Sequence, residues 1–306
     1  MSCFPTVIDL ELSNRCNLAC VMCPRLPQNA HSGAMRVELL DRLLDEAFRF
    51  PSRIFRLHGS GEPLLAPTFE HAVNRITTAP GEHAVHLVTN GHLLDRSMAR
   101  FLLSHAVPQV TVSLGAATRE TYEKVRSSTH FDEVVKNVIH FIDERDRRGS
   151  PTVIGVQLVR VPPADAEAEA FVAFWSRFDV VVEIWHDVNW GRRALDAPVT
   201  LDLPACERLW DSTVVCWDGR VALCCIDCYR LHVVGNVQNA TLHQVYNGPS
   251  LEDIRDRHRR HATERLPLCV DCSFRDGNHI AFSANVKQTG ARLGPLFPVP
   301  KLPPIG

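Results

Sequence analysis

Short apolar runs alternate with amphipathic stretches over the first 186 residues of the chain. The apolar runs have the length and composition of buried strands, and they cover residues 6–12, 53–58, 83–89, 109–114, 152–160 and 180–186. Between them, apolar residues recur at helical spacing over residues 37–50, 68–79, 94–104, 119–148 and 164–178, with a break expected near Ser127. Strands that alternate with helices predict an α/β fold with a parallel sheet.

The pattern changes after residue 188, where this alternation stops and cysteines accumulate. The turn Trp217-Asp218-Gly219 separates two apolar runs, 213–216 and 220–224, and predicts a β-hairpin. A single helix is expected over residues 242–260. We therefore predict one domain over residues 1–188, a second over 189–285 and a Pro-rich tail over 286–306.

Composition limits the classes of function. The 306 residues are 45% hydrophobic and 22% charged, with a net charge of −2 and a pI near 6.7. This balance indicates a globular protein without the basic surface that nucleic acid or an anionic membrane would require. No apolar run reaches the ~18 residues of a membrane span, and the first residues lack a signal peptide. We expect a cytoplasmic protein that binds neither nucleic acid nor membranes.

Eleven cysteines in such a chain favour metal binding over disulfides. Cys16, Cys20 and Cys23 follow the first strand as Cys-x3-Cys-x2-Cys. Three thiolates can hold three irons of a [4Fe-4S] cluster and leave one iron open to another ligand. The alternatives are a structural zinc, which needs a fourth ligand, and three unrelated core thiols.

The run from Asn14 to Pro24 resembles the signature of the radical S-adenosylmethionine (radical SAM) superfamily, in which the open iron binds SAM. The turn after the second strand resembles the Gly-Gly-Glu-Pro motif of that family. The resemblance implies that Gly59, Gly61 and Glu62 contact the methionine part of SAM. It also implies a partial (β/α)6 barrel whose ligands bind at the carboxyl ends of the strands.

Later strand ends supply the other SAM contacts that the resemblance implies. Asn90 would bind the ribose, Ser113 matches a family serine, and Arg126 matches an arginine that pairs with the SAM carboxylate. The family often has an aspartate two residues after that serine, where this chain has Gly115. Substrate contacts at that position are therefore not carried over.

A second cysteine set resembles the short SPASM domain called Twitch, which holds one auxiliary [4Fe-4S] cluster. Its ligands would be Cys206, Cys224, Cys269 and Cys272. The alternative is a structural zinc. The resemblance thus implies two [4Fe-4S] clusters, SAM, and an external one-electron reductant such as flavodoxin or ferredoxin.

In this family the reduced cluster cleaves SAM, and the resulting radical removes a hydrogen atom from a substrate carbon. Loss of a proton and one electron then gives a ketone, whereas return of a hydrogen atom from a thiol inverts the carbon. No cysteine lies between Pro24 and Ala205, which favours dehydrogenation, with Glu183 or Asp187 as proton acceptor. Epimerisation remains the alternative, with one of three surplus thiols as donor: Cys216, Cys225 or Cys228.

Only about a dozen residues precede the cysteine loop, which favours a small polar substrate over a peptide with a leader. The chain resembles Twitch enzymes of aminoglycoside biosynthesis, among them dehydrogenases and epimerases. That resemblance implies an aminocyclitol or amino sugar. The other hypotheses are a peptide-modifying or sulfatase-maturing radical SAM enzyme, and an iron–sulfur electron carrier without catalysis.

Overall fold

The computed structural model of the protein describes residues 4–24, 31–187, 203–270, 272, 274–275 and 280–285. They fall into two compact units. Unit 1 contains residues 4–16, 24, 31–85 and those described between 203 and 275. Unit 2 contains residues 17–23, 86–187 and 280–285. The predicted domain boundary at 188–189 and the predicted tail lie outside the described residues.

Ten strands are present in the described residues. They are β1 (Val7–Leu10), β2 (Ile54–Leu57), β3 (Ala84–Thr89), β4 (Gln109–Ser113), β5 (Val153–Arg160), β6 (Val181–His186), β7 (Ser212–Val215), β8 (Arg220–Ala222), β9 (Val233–Asn236) and β10 (Ile280–Asn285). The first six confirm the strands predicted from the apolar runs, each to within two residues at either end.

The same residues form nine α-helices and two short 3₁₀ helices. The α-helices are α1 (Val37–Ala47), α2 (Phe69–Thr78), α3 (Arg96–Ser104), α4 (Arg119–Arg126), α5 (Phe131–Arg148), α6 (Ala168–Trp175), α7 (Arg208–Asp211), α8 (Leu242–Tyr246) and α9 (Pro249–Arg259). The 3₁₀ helices are Pro63–Leu65 and Ala164–Glu167.

In unit 1 the strands run in the order β2, β1, β7, β8, β9. β1 pairs in parallel with both β2 and β7, whereas β8 and β9 continue the sheet antiparallel. The predicted hairpin is therefore confirmed as β7 and β8. Its first strand also extends the parallel sheet that β1 and β2 begin.

In unit 2, β3 to β6 form a parallel sheet and β10 adds an antiparallel edge to β6. Strands β4 and β6 are buried on both faces along nearly their whole length, whereas β3 alternates between buried and half-buried positions. Their register brings Ser113 of β4, Gln157 of β5 and Glu183 of β6 into one row. Side chains at paired positions of parallel strands share a face, so this row is polar near the carboxyl ends of the sheet.

Local signals explain where the helices end. The break near Ser127 is confirmed, because Ser127 has φ 53° and ends α4, and α5 then runs to Gly149 at φ 62°. The single helix expected over 242–260 is wrong, because the structure has two helices separated at Gly248. Pro249 begins α9 and Gly248 is extended, as expected of the residue before a proline.

None of the described helices is long and apolar enough to cross a lipid bilayer.

A carboxylate of α1 caps the start of α8. Glu46 accepts the backbone N–H groups of Leu242 and His243, both at 2.8 Å. Thr241 and Gln244 complete a capping box at the same end. This contact attaches the second half of unit 1 to its first helix.

We expect Glu46→Ala to lower the free energy of unfolding by about 2 kcal/mol, because two charge-assisted hydrogen bonds are lost at a helix end. Chemical denaturation of the iron-loaded protein under anaerobic conditions measures this. Glu38→Ala, an exposed change in the same helix, is the matched control and should cost less than about 0.5 kcal/mol. Equal losses in the two variants would contradict the capping role.

Candidate functional site

The cysteine loop leaves the carboxyl end of β1. All three of its thiols, Cys16, Cys20 and Cys23, are half-buried. The backbone N–H of Cys23 donates to the carbonyl of Cys20 at 3.2 Å, which closes the second half of the loop as a turn. The donor set fits the predicted group, since three cysteine thiolates on one short loop can hold three irons of a [4Fe-4S] cluster.

The glycine turn after β2 packs directly on the residues that precede Cys16. A Cβ atom at Gly61 would lie 2.3 Å from the carbonyl oxygen of Ser13, so no side chain fits there. The N–H of Glu62 donates to the carbonyl of Arg15 at 2.8 Å. Glu62 is 2% exposed, and its carboxylate accepts the N–H of Leu64. The predicted SAM turn is thus joined to the start of the cysteine loop by backbone contacts.

A buried ion pair lies against the same turn. Glu11 Oε2 is 2.5 Å from Arg230 Nη2, and the two side chains are 2% and 6% exposed. The same carboxylate oxygen accepts the N–H of Ser60 at 2.9 Å, and a Cβ at Gly59 would meet Glu11 at 2.7 Å. Arg230 follows the Cys224–Cys228 segment, so this pair ties that segment to the glycine turn.

A second buried charge, Asp9, lies in β1, two residues before Glu11. Asp9 is held by Arg56, whose Nε and Nη2 lie 2.5 Å and 3.0 Å from its two carboxylate oxygens, and His58 Nε2 lies 3.2 Å away. Burial alone would raise the pKa of Asp9, but the charges of Arg56 and His58 hold it well below its usual range. Asp9 therefore stays ionised and holds His58 immediately before the glycine turn.

The predicted SAM contacts in unit 2 lie together at the ends of β3 and β4. Asn90 donates from Nδ2 to Asn17 Oδ1 at 2.8 Å, which connects it to the cysteine loop. Arg126 is 6% exposed and donates from Nη2 to Ser113 Oγ at 3.0 Å and from Nη1 to Cys20 Sγ at 3.3 Å. Arg126 thus contacts both Ser113 and Cys20, and Asn90 contacts the same cysteine loop at Asn17.

The predicted proton acceptors differ in their surroundings. Glu183 is fully buried and accepts the indole N–H of Trp185 at 2.9 Å. It continues the polar row in which Ser113 Oγ donates to Gln157 Oε1 at 3.3 Å. Asp187 is exposed after the end of β6. Only Glu183, of these two, therefore shares a sheet face with a predicted SAM contact.

The second cysteine set is buried more deeply than the first. Burial raises the pKa of Cys206 to about 11 and that of Cys269 to about 12, and the nearby thiol of Cys272 adds to both effects. The pKa of Cys224 is raised by burial and by the thiols of Cys225, Cys269, Cys272 and Cys206. The four predicted ligands thus lie near one another, and a bound cation would offset the cost of deprotonating them. This set also fits an iron–sulfur cluster.

Two buried side chains, Arg275 and His258, form hydrogen bonds with the backbone around this cysteine set. Arg275 donates to the carbonyl oxygens of Pro204, Leu203 and Cys269, at 2.9, 2.8 and 2.6 Å. His258 Nδ1 accepts the backbone N–H of Cys206 at 3.2 Å. Arg275 therefore joins the backbone before Cys206 to the backbone at Cys269, and it holds both parts of the cysteine set in place.

The three surplus cysteines are not alike. Cys216 and Cys228 are buried, at 0% and 7% exposure. Cys225 is half-buried and accepts a hydrogen bond from Arg208 Nη1 at 2.9 Å. It also affects the pKa of three predicted ligands, Cys206, Cys224 and Cys272. Cys225 therefore lies beside the predicted cluster ligands, which the spacing of the cysteines did not show.

Sequence reasoning missed the buried charges Asp9 and Arg230 and the half-buried Arg208, and it gave Glu11 only as an acid that could pair with substrate amines. Two acids at alternate positions of an apolar strand were a usable signal, because a buried carboxylate needs a partner. The partners themselves have no local signal, since Arg230 lies 219 residues from Glu11.

The fold and the two cysteine sets define a class of protein, and comparison with known families agrees. The model of the radical SAM superfamily matches residues 10–156, and that of the iron–sulfur cluster-binding domain SPASM matches residues 206–273. The chain thus contains a radical SAM domain and a C-terminal SPASM domain. The predicted fold class is confirmed, as is the use of SAM and [4Fe-4S] clusters.

Among characterised relatives, the chain is similar to a tungsten-containing aldehyde ferredoxin oxidoreductase cofactor-modifying protein of Pyrococcus furiosus. The two are 26% identical in an alignment 315 residues long that covers 87% of each chain. A GTP 3',8-cyclase of Pelotomaculum thermopropionicum is 32% identical over 123 residues. That match spans 39% of this chain and 37% of the cyclase.

Solved structures share the fold at low identity. BtrN in complex with AdoMet and 2-DOIA superposes with a TM-score of 0.62 and 18% identity, covering 89% of this chain and 94% of BtrN. Native anSMEcpe with bound AdoMet and Cp18Cys peptide gives a TM-score of 0.63 and 16% identity, covering 88% and 89%. The same architecture therefore serves proteins crystallised with different ligands.

We expect Arg230→Met to lower the free energy of unfolding by about 3–5 kcal/mol, because it leaves the buried carboxylate of Glu11 without its cation. Replacing Glu11 by Met in the same protein should recover most of that loss. Chemical denaturation of the single and double variants measures the difference.

Arg220→Met is the matched control for this pair. Arg220 pairs with Asp218 at 2.7 Å with 41% of its side chain exposed, so its loss should cost about 1 kcal/mol or less. If the single and double variants at residues 230 and 11 lost equal stability, packing rather than charge would account for the effect.

Proposed function

We propose that the protein is a radical SAM dehydrogenase that oxidises a carbinol carbon of an aminocyclitol or amino sugar to a ketone. The polar row Ser113, Gln157 and Glu183 carries the proposal. In this row a buried carboxylate shares a sheet face with Ser113, a predicted SAM contact that accepts a hydrogen bond from Arg126 of α4. A base at that position can accept the proton of a substrate hydroxyl.

The oxidation removes two hydrogens from the substrate, one as an atom and one as a proton with a separate electron. When bound, SAM and its cluster supply the radical that takes the hydrogen atom, and the SPASM cluster supplies the acceptor for the remaining electron. Glu183 takes the hydroxyl proton, and the indole N–H of Trp185 holds its carboxylate in place. The ligands would be Cys16, Cys20 and Cys23 for one cluster, and Cys206, Cys224, Cys269 and Cys272 for the other.

The SAM contacts would be Gly59, Gly61, Glu62, Asn90, Ser113 and Arg126. Glu62 and Asn90 are 2% and 7% exposed, and both are held by hydrogen bonds to the cysteine loop or its preceding residue. Polar groups fixed in this way can bind a ligand without first being ordered. This arrangement supports the assignment of these positions to SAM.

The substrate class is supported by chemistry and by likeness. The carboxyl groups of Glu183 and of the exposed Asp187 suit an amine-bearing polyol. Glu11 does not serve in this way, because Arg230 and Ser60 already occupy its carboxylate. BtrN, which shares the fold, was crystallised with AdoMet and 2-DOIA. We further propose an external reductant such as flavodoxin or ferredoxin, and a cytoplasmic location.

Epimerisation is the second candidate, and one observation favours it. Cys225 is half-buried, and Arg208 donates to its sulfur. A thiol of this kind can return a hydrogen atom to a substrate carbon. Cys216 and Cys228 are more deeply buried and suit this role less. A peptide substrate is the third candidate, supported by the peptide complex of anSMEcpe.

The product of the reaction separates these candidates. We expect the iron-loaded protein, incubated anaerobically in deuterated water with dithionite, SAM and an aminocyclitol glycoside, to form 5'-deoxyadenosine and a product two mass units lighter than the substrate. Mass spectrometry reads both. A product one unit heavier would instead show epimerisation, and turnover of peptides alone would contradict the substrate class.

Cysteine variants test the two clusters in the same assay. Replacing Cys16, Cys20 and Cys23 by Ala should abolish 5'-deoxyadenosine. Replacing Cys269 and Cys272 by Ala should spare 5'-deoxyadenosine but stop ketone formation. Ketone formation in the second variant would show that the SPASM cluster is not the electron acceptor.

Glu183→Gln tests the base. We expect ketone formation to slow by about 10²-fold or more while the Trp185 N–H keeps an acceptor oxygen. Asp187→Asn is the matched control at the exposed acid and should change the rate less than about twofold. A large loss in Asp187→Asn alone would move the role to Asp187.

A further inference from the structure

Hydrogen bonds hold the guanidinium of Arg126 in one position. Nε donates to the carbonyl of Leu114 at 3.0 Å, and Nη2 donates to the carbonyl and the hydroxyl of Ser113. Nη1 points to the cysteine loop and lies 3.3 Å from Cys20 Sγ. These contacts use both ends of the planar fork, so the N–H toward the sulfur is held in a fixed direction.

Gly115 makes this position of the guanidinium available. Gly115 has φ +83°, and a Cβ there would lie 2.6 Å from Arg126 Nε and 2.8 Å from Nη2. Any side chain at 115 would therefore push the guanidinium away. This is the position where the chain has glycine in place of the aspartate common in the family. The glycine at 115 leaves space for the guanidinium of Arg126 beside Cys20.

The cysteine loop is held against the same helix end by two further hydrogen bonds. The backbone N–H of Val21 donates to the carbonyl of Val125 at 2.9 Å, and Ser127 Oγ donates to the carbonyl of Ala19 at 3.0 Å. These contacts lie on either side of Cys20 in the loop and of Arg126 in the helix. They fix the distance between the sulfur and the guanidinium independently of the Arg126 side chain itself.

We propose that Arg126 is a positioning residue for the iron ligand Cys20 and that it raises the midpoint potential of the SAM-site cluster. Hydrogen bonds to the sulfurs and nearby charge set the potential of such clusters. Reduction adds negative charge, and a buried guanidinium, which is always cationic, stabilises it. This role is distinct from the contact to the SAM carboxylate implied by the resemblance. It rests on the assignment of Cys20 as an iron ligand.

The test is a potentiometric titration of the iron-loaded, full-length protein without SAM, followed by electron paramagnetic resonance. The SAM-site signal is the one that Cys20→Ala removes. We expect Arg126→Gln to lower the reduced-to-oxidised ratio of that cluster about tenfold at a fixed potential, which is 59 mV for one electron. Retention of both signals in Cys20→Ala would instead show that the ligand assignment is wrong.

A pair of glycine variants tests the geometry with the guanidinium still in the chain. Gly115→Ala should lower the ratio in the same direction as Arg126→Gln, because its methyl group displaces the guanidinium. Gly149→Ala is the matched control. Gly149 also has a positive φ, of +62°, but its Cβ would meet nothing within 4 Å. Gly149→Ala therefore introduces the same kind of backbone strain as Gly115→Ala, but it should leave the midpoint potential of the cluster unchanged.

The outcomes separate the two roles of Arg126. Lowered potentials in Arg126→Gln and Gly115→Ala, with that of Gly149→Ala unchanged, support the proposal. Weaker SAM binding in Arg126→Gln with wild-type potentials in both variants would assign Arg126 to SAM alone and overturn it. If Arg126→Gln fails to hold iron, the Gly115→Ala and Gly149→Ala pair decides.

Discussion

The ion pair between Glu11 and Arg230 is the interaction on which unit 1 depends. A carboxylate buried at the end of a strand is costly unless cations and N–H groups surround it. Here a single carboxylate oxygen receives both Arg230 and the N–H of Ser60. Strand β1, the glycine turn and the segment that carries the SPASM cysteines therefore meet at one point. None of the three can shift without exposing or stranding that charge.

The sequence predicted what depends on neighbouring residues and missed what depends on distant ones. The strands were predictable because a buried parallel strand must be apolar along its whole length. The cysteine loop was predictable because its ligands lie within eight residues. Pro249 also indicated a break in the helix, and the prediction of a single helix overlooked this signal. The contact of Arg126 with Cys20 could not be predicted, because the two residues are 106 positions apart and meet only in the folded chain.

The division of labour in the molecule follows from the fold. The strand ends carry most of the predicted SAM contacts, which are glycines and buried or half-buried polar side chains. The relatives and solved structures that this chain resembles bear names that refer to different substrates, so the fold alone does not define the reaction. The buried Glu183 on the face of β4, β5 and β6 is the side chain on which the proposed dehydrogenation depends.

The parallel pairing of β1 with β7 affects how the protein folds while it is being synthesised on the ribosome. Val7 pairs with Ser212, so one edge of β1 stays open until more than two hundred residues have been made. At about 5–20 residues per second this takes roughly 10–40 s. During that time β1 can pair only with β2, and the cysteine loop at its end emerges without the Arg230 that later secures Glu11. Iron delivered early would meet an unfinished sheet, so cluster insertion is best suited to the completed chain.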